Sequence, residues 1–149
     1  MKISGFNFFW SFNIMVFLSI NPNNHDDMSK TTNKTLIKQL NDAIGDNKNV
    51  FVLFYMEGCG PCNATRPEWN KLKNVLKKYA DDENTCIVDI EYTTAEKVSN
   101  IKRKPSSFPT IRFLSNKGNS EEDFEDSNVD EKERNVDNFV KWIESKKIL

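Results

Sequence analysis

Apolar and polar positions alternate along this chain in two rhythms. Leu36, Ile37, Leu40 and Ile44 recur at the spacing of one helical face, with Thr32 or Asn33 placed to cap the helix and Gly45 to end it. "NVFVLFY", 49–55, is an unbroken apolar run of strand length, suited to a central strand covered on both faces. "NATRPEWNKLKNVLKKYADD" then reads as a long helix. Its stripe is Trp69, Leu72, Val75, Leu76 and Tyr79, and Pro67 is expected to kink it or end its first part. "TCIVDI", 85–90, is a second apolar strand. "TTAE", 93–96, has the form of a capping box and predicts a short helix. That helix should end by "KRKP", 102–105, where basic residues suit a helix C-terminus. "PTIRFLS", 109–115, predicts a third strand, "NKGN" a tight turn, and "SEEDFED" a weak acidic strand. Asn135 caps a last helix whose Val136, Phe139, Val140 and Ile143 share a face. The order α-β-α-β-α-β-β-α implies an α/β sandwich, a central mixed sheet of about four strands with helices on both faces.

The N-terminus follows neither rhythm. Between Gly5 and Ile20, 11 of 16 residues are large and apolar, with Lys2 before the run and "NPNNHDD" after it. The run is shorter than the roughly 18–20 residues that span a bilayer and fits the core of a signal peptide better. No pair of small residues sits at the usual cleavage offset, however, and Asn7, Ser11 and Asn13 dilute the hydrophobicity. Two readings stay open. Either this is a targeting or anchoring segment, which puts the protein in the secretory pathway or on a membrane, or translation starts at Met28 and the protein is cytoplasmic. On both readings residues 1–27 are set apart from a single domain over 28–149.

Charge narrows the partners. With 21 basic and 22 acidic residues, nothing global points to nucleic acid or to an anionic membrane surface. Membrane contact is expected only through residues 5–20, and the domain is expected to be a monomer. Three cysteines is too few, and odd, for a disulfide-stapled miniprotein, so the close pair Cys59 and Cys62 is left for catalysis or metal binding.

Cys59-Gly60-Pro61-Cys62 stands between the buried strand and the long helix. A helix N-terminus presents unpaired N–H groups and partial positive charge. A thiolate there is stabilised, and its pKa falls from about 8.5 toward 7 or lower. Cys59 is therefore the expected nucleophile, and Cys62, one turn further in, the thiol that resolves the mixed disulfide. Gly60 permits the tight turn, and Pro61 sits where its missing N–H costs nothing. Three uses of the pair compete: dithiol redox catalysis, half of a zinc site, or a structural pair. Zinc needs four ligands, and only Cys86 and His25 remain as soft donors.

At this point the chain resembles the thioredoxin family, including the thioredoxin-like domains of protein disulfide isomerases. The resemblance rests on Cys59-Gly60-Pro61-Cys62, on Pro67 five residues after the second cysteine, and on Phe108-Pro109-Thr110 opening the third strand, and it covers nearly all of residues 28–149. It implies a three-layer sandwich and thiol–disulfide exchange on protein disulfides without a bound cofactor or metal. It also implies a cis Phe108–Pro109 bond facing the sulfurs, with Phe108, Pro109 and Thr110 shaping the substrate site. A reductase or oxidase is the implied redox partner. A non-catalytic adaptor that keeps the fold is the alternative.

Departures from the family pattern are specific. Gly58 stands where relatives usually carry Trp, and Leu53 where they place a buried Asp or Glu that moves the proton of the second cysteine. Glu57 is near enough in sequence to help through water. Ser107 replaces the usual glycine before the proline. A slower or narrower enzyme is the expected consequence. Cys86 reads as a core residue, His25 as solvated, and Trp69 and Trp142 as core or half-buried. Lys102-Arg103-Lys104 reads as a solvated helix end near the proline loop, and the eight acids within 121–134 as an exposed edge. Asn33-Lys34-Thr35 and Asn63-Ala64-Thr65 match the glycosylation pattern, which matters only in a secretory compartment.

Overall fold

The two alternating sides of "NVFVLFY" set the architecture. In the computed structural model, which describes residues 14–22 and 27–147, this run is β2 (Asn49–Tyr55), buried from Val50 onward. Val50, Val52 and Phe54 pack into one apolar cluster, and Phe51 and Leu53 into another on the opposite side. β2 pairs in parallel with β3 (Thr85–Glu91) and antiparallel with β4 (Thr110–Ser115), which pairs antiparallel with β5 (Ser120–Asp123). One face is covered by α1 (Asp27–Gly45), through Leu40 and Ile44, and by the segment around Ala95, Val98 and Ile101. The other is covered by α2 (Gly60–Asn70), α3 (Leu72–Val75) and α5 (Val136–Lys146), through Trp69, Leu72, Phe139, Trp142 and Ile143. The layers are helix, sheet, helix, as the alternating order implied.

The sheet has five strands, not about four, in the order β1-β3-β2-β4-β5. The extra one, β1 (Val16–Ile20), comes from the segment set apart on sequence grounds. It runs parallel to β3, with Leu18 and Ile20 buried in the α1-side cluster and Met15 in the other. The exclusion of residues 1–27 is therefore corrected for this stretch, an edge strand with Leu18 and Ile20 buried toward α1 and Phe17 partly buried on the opposite side. Residues 5–13 of the apolar run, and His25, lie outside the described residues.

Local chemistry moved several boundaries. The long helix is broken. Pro67 lies inside α2, which stops at Asn70; α3 follows, then a 3-10 turn over Leu76–Tyr79. Val75, expected on the buried stripe, is exposed because that break rotates it outward. Thr93 does not open the next helix. Glu91 caps α4 (Tyr92–Ala95), its carboxylate accepting from the N–H groups of Thr93 and Thr94. Asn135 does cap α5, accepting from the N–H of Asn138 at 2.9 Å. The acids after β4 are paired rather than merely solvated. Glu122 accepts from Trp142 Nε1 and Lys146, Asp123 from the buried Arg112, and Glu121 from Arg103.

Candidate active site

Cys59 leaves β2 through Met56, Glu57 and Gly58 and becomes the N-cap of α2. Gly58 has φ of +72°, a left-handed conformation that a side chain opposes, and nothing lies within 4 Å of where its Cβ would be. The position is open. The Cys59 backbone is extended (φ −92°, ψ 115°), so its sulfur turns back over the first helical turn and accepts the Cys62 N–H at 3.2 Å. This is the contact that stabilises a thiolate at a helix N-terminus. Pro61 stands in the first turn, where an N–H would be unpartnered.

The two cysteines form a disulfide, with Cα atoms 5.2 Å apart. Cys59 keeps partial exposure, whereas Cys62 is fully buried. The Phe108–Pro109 bond is cis. The Phe108 carbonyl oxygen lies 3.7 Å from Cys59 Sγ. Thr110 holds this loop by donating its hydroxyl to the Ser107 carbonyl at 2.7 Å. Cys59, Gly60, Pro61, Cys62, Phe108, Pro109 and Thr110 are thus gathered at the C-terminal end of β2 and the start of β4. Glu57 sits in the same connection but is exposed.

Three further features lie near this site and carry no motif in the sequence. Tyr92, at the start of α4, is 38% exposed and lies against Phe108, ring centroids 5.6 Å apart. It extends the aromatic surface of the cis-proline loop, and its position directly after the "TCIVDIE" strand was the available signal. Arg66, one turn beyond Cys62, sets its guanidinium 3.9 Å over the ring of Tyr55. Asp89 is a buried carboxylate within β3, 7% exposed, where the sequence was read simply as an apolar strand. Burial pushes its pKa up, against the opposing pull of the Ser19 hydroxyl, Arg66 and Lys73. Leu53 is wholly buried and adjacent to Asp89 in register. Cys86 is free and buried on the α1 side, its thiol pushed up to about 12 by burial. Among the described residues no cluster of His, Cys, Asp or Glu could hold a metal ion, and no helix is long and apolar enough to cross a membrane.

A cysteine N-cap bonded one turn into its own helix, facing a cis-proline loop at the end of a mixed sheet, is a thioredoxin-type arrangement. A profile of the family described as Thioredoxin matches residues 27–144. The chain belongs to the thioredoxin family. Within it, the chain is similar to protein disulfide-isomerase of Gallus gallus, 36% identical over 104 residues, covering 69% of this chain and 18% of that protein. Protein disulfide-isomerase of Drosophila melanogaster is 33% identical over 122 residues, covering 80% of this chain and 22% of that protein. Among solved structures, the first thioredoxin domain of mouse protein disulfide-isomerase A4 aligns at TM-score 0.53 and 25% identity, covering 72% of this chain and 69% of that one. The J-Trx1 fragment of ERdj5 aligns at TM-score 0.56 over 87% of this chain and 50% of that one; at 15% identity this thioredoxin-family likeness is one of fold. The chain spans about a fifth of the length of the curated relatives it matches.

Proposed function

We propose that the chain is a thiol–disulfide oxidoreductase acting on protein disulfides through Cys59 and Cys62. The observation that carries this is the Cys59 sulfur at the N-cap of α2, partly exposed, accepting the Cys62 N–H and already bonded to Cys62. In the reducing direction, the Cys59 thiolate attacks a substrate disulfide and one substrate sulfur leaves as a thiolate. Cys62 then loses its proton and attacks Cys59 Sγ. The second substrate sulfur departs, and two electrons have passed to the substrate. The chain is left as the Cys59–Cys62 disulfide and is reset by an external dithiol. Run backwards, the same steps oxidise a substrate dithiol.

Phe108 and Pro109 support a substrate role. A sulfur joined to Cys59 must run past the Phe108 carbonyl, 3.7 Å away, so an extended chain can pair with that backbone. The relatives are named protein disulfide-isomerases, which fits protein substrates and an oxidising, secretory compartment. The test is insulin reduction by dithiothreitol. The chain should accelerate precipitation, Cys59→Ser should abolish the acceleration, and Cys62→Ser should trap a mixed disulfide visible on a non-reducing gel. Equilibration with glutathione gives the potential, and with it the favoured direction. An adaptor role would instead leave insulin turnover at background and Cys59 alkylating with the pH profile of a free thiol.

A further inference from the structure

Residues 102–108 lead into the cis-proline site yet belong to no helix or strand, and among the described residues none of them makes a backbone–backbone hydrogen bond. Side chains hold the loop instead. Lys104 folds back on the loop's start, its ammonium donating to the Val98 and Ile101 carbonyls at 2.8 and 2.9 Å. Two further anchors come from β4, the strand the loop runs into. Thr110 donates its hydroxyl to the Ser107 carbonyl, and Arg112 donates Nη1 to the Arg103 carbonyl, both at 2.7 Å. Residues two apart share one face of a strand. Here it is the α1 side, since Thr110 and Arg112 stand opposite Phe54 and Val52 in register.

Arg112 carries a full charge on a side chain that is 1% exposed. A buried guanidinium is costly unless its donors are satisfied, and here each nitrogen has an acceptor. Nε and Nη2 fork onto the two oxygens of Asp123 at 2.6 and 3.4 Å, across the β4–β5 pair, which leaves Nη1 free to reach the loop. The guanidinium lies over Phe54, 5.6 Å from the ring centroid. Lysine could not replace it, because a single ammonium lacks the planar fork that serves two partners in different directions. One side chain thus ties β4, β5 and the loop together. The arc from Arg103 to Phe108 is short. Pro105 restricts its backbone, and the Thr110 bond fixes Ser107 next to Phe108. A shift of the Arg103 carbonyl is therefore passed along the arc to the carbonyl that lies 3.7 Å from Cys59 Sγ.

We propose that Arg112 is a positioning residue for peptide and protein substrates: by holding the Arg103 carbonyl it sets where the Phe108 carbonyl stands beside Cys59. The proposal rests on the dithiol reading above. Arg112 touches neither sulfur and makes or breaks no covalent bond. Its effect falls on the substrate's backbone, which pairs with the loop, and not on the electrons exchanged at the cysteines. A small disulfide without a peptide backbone reports the cysteines alone. A disulfide-bonded peptide reports the cysteines and the loop together.

The test compares those two substrates. Steady-state reduction of a disulfide-bonded peptide, with the dithiothreitol background subtracted, gives kcat and KM. Oxidation of the reduced chain by hydroxyethyl disulfide, in single turnover, gives the reactivity of the cysteines. Arg112→Gln removes the charge and the fork, while Asp123, a quarter exposed and 3.8 Å from Arg103 Nη2, keeps a cationic neighbour. The peptide KM should rise by about tenfold at unchanged kcat, a loss of about 1.4 kcal/mol, or one backbone hydrogen bond to the substrate. The rate with hydroxyethyl disulfide and the glutathione equilibrium should not change. Arg103→Ala strips an exposed ion pair with Glu121 but keeps the carbonyl, and should alter KM by less than about twofold. A peptide KM within about twofold of wild type in folded Arg112→Gln overturns the proposal, as does equal slowing with hydroxyethyl disulfide. A full rise in Arg103→Ala also overturns it, by assigning the effect to the surface ion pair. Wild type that reacts with neither substrate would overturn the dithiol reading itself, a different result. If Arg112→Gln does not fold, Asp123→Asn supplies the test, since it keeps an oxygen for Nε and removes the charge that holds the guanidinium. Its peptide KM should rise by about threefold with hydroxyethyl disulfide unaffected, and an unchanged KM overturns the proposal.

Discussion

Ile20→Ala asks whether the N-terminal segment is part of the folded unit. Ile20 lies at the end of β1, has no exposed surface, pairs in register with Ile90, and packs with Leu40, Ile44 and Val88 beneath α1. Truncating it removes three methyl or methylene carbons from a site enclosed by sheet and helix. Large-to-small changes of this kind cost about 2–5 kcal/mol, the upper part of the range applying where neighbours cannot collapse. Here β3 is fixed on its other side by β2, while α1 can settle inward, so about 3 kcal/mol is the expected value. With a urea m-value of about 2 kcal/mol/M, the unfolding midpoint should fall by roughly 1.5 M at unchanged m. Ile14, 47% exposed at the mouth of the same segment, is the control, and its replacement by alanine should shift the midpoint by less than about 0.3 M. The assay is urea unfolding followed by far-ultraviolet circular dichroism and by tryptophan fluorescence. If Ile20→Ala unfolds at the wild-type midpoint, β1 contributes nothing to the fold and the sheet is effectively four-stranded.

Other consequences are as direct. Trp142→Ala should destabilise by about 3–5 kcal/mol, since its ring is fully buried edge-on to Phe51 and Phe124 and its Nε1 donates to Glu122; thermal unfolding reads it. Cys86 should resist iodoacetamide at pH 8 in the native chain, and Cys86→Ala should keep full insulin turnover, because burial has lifted its thiol to about 12. Asp82 is held below its ordinary 3.8: burial pushes the other way, but Lys147, Thr85 and the Asn84 N–H outweigh it. Its stabilisation is therefore complete above 3.8 and lost as pH falls through the depressed value, so Asp82→Asn should cost about 1 kcal/mol at pH 7, and the cost should shrink as pH falls below 3.8. Asp89 carries the opposite sign. Its pKa is raised by burial, so the stability linked to it is present below 3.8 and lost as pH rises through the raised value. Asp89→Asn should match wild type in melting temperature at pH 3 and exceed it at pH 8.

The elements written as long periodic runs were legible. "NVFVLFY" is a strand buried on both sides because its composition gives it no polar face, and the stripe of α5 faces inward as spaced. What was not legible depended on partners distant in sequence. β1 is a short edge strand whose pairing with β3 cannot be read from its own letters, and the apolar run that contains it, with Lys2 before and the polar "NPNNHDD" after, suggested a targeting segment instead. Thr93 and Glu91 competed to cap α4. Glu91 prevailed because the strand ends there in extended backbone (φ −73°, ψ 145°), which places its carboxylate over the next two N–H groups before Thr93 can act. The acids of 121–123 looked like a solvated edge, since nothing local reveals that Arg112, Arg103 and Lys146 reach them.

The site divides in the same way. The cassette and the proline loop are local signatures, and the structure brings them together. Position 53 is different, because a missing side chain is read from one strand while the chemistry it served belongs to a space between strands. Parallel pairing places Leu53 and Asp89 side by side on the face beneath α2, a neighbour that neither strand's own letters reveal. The two are not equivalent. Asp89 lies one strand nearer the sheet edge, where it accepts the Ser19 hydroxyl and sits within the field of Arg66 and Lys73. The open position at Gly58 and the exposed ring of Tyr92 likewise depend on how the loops fold, not on the letters of the cassette.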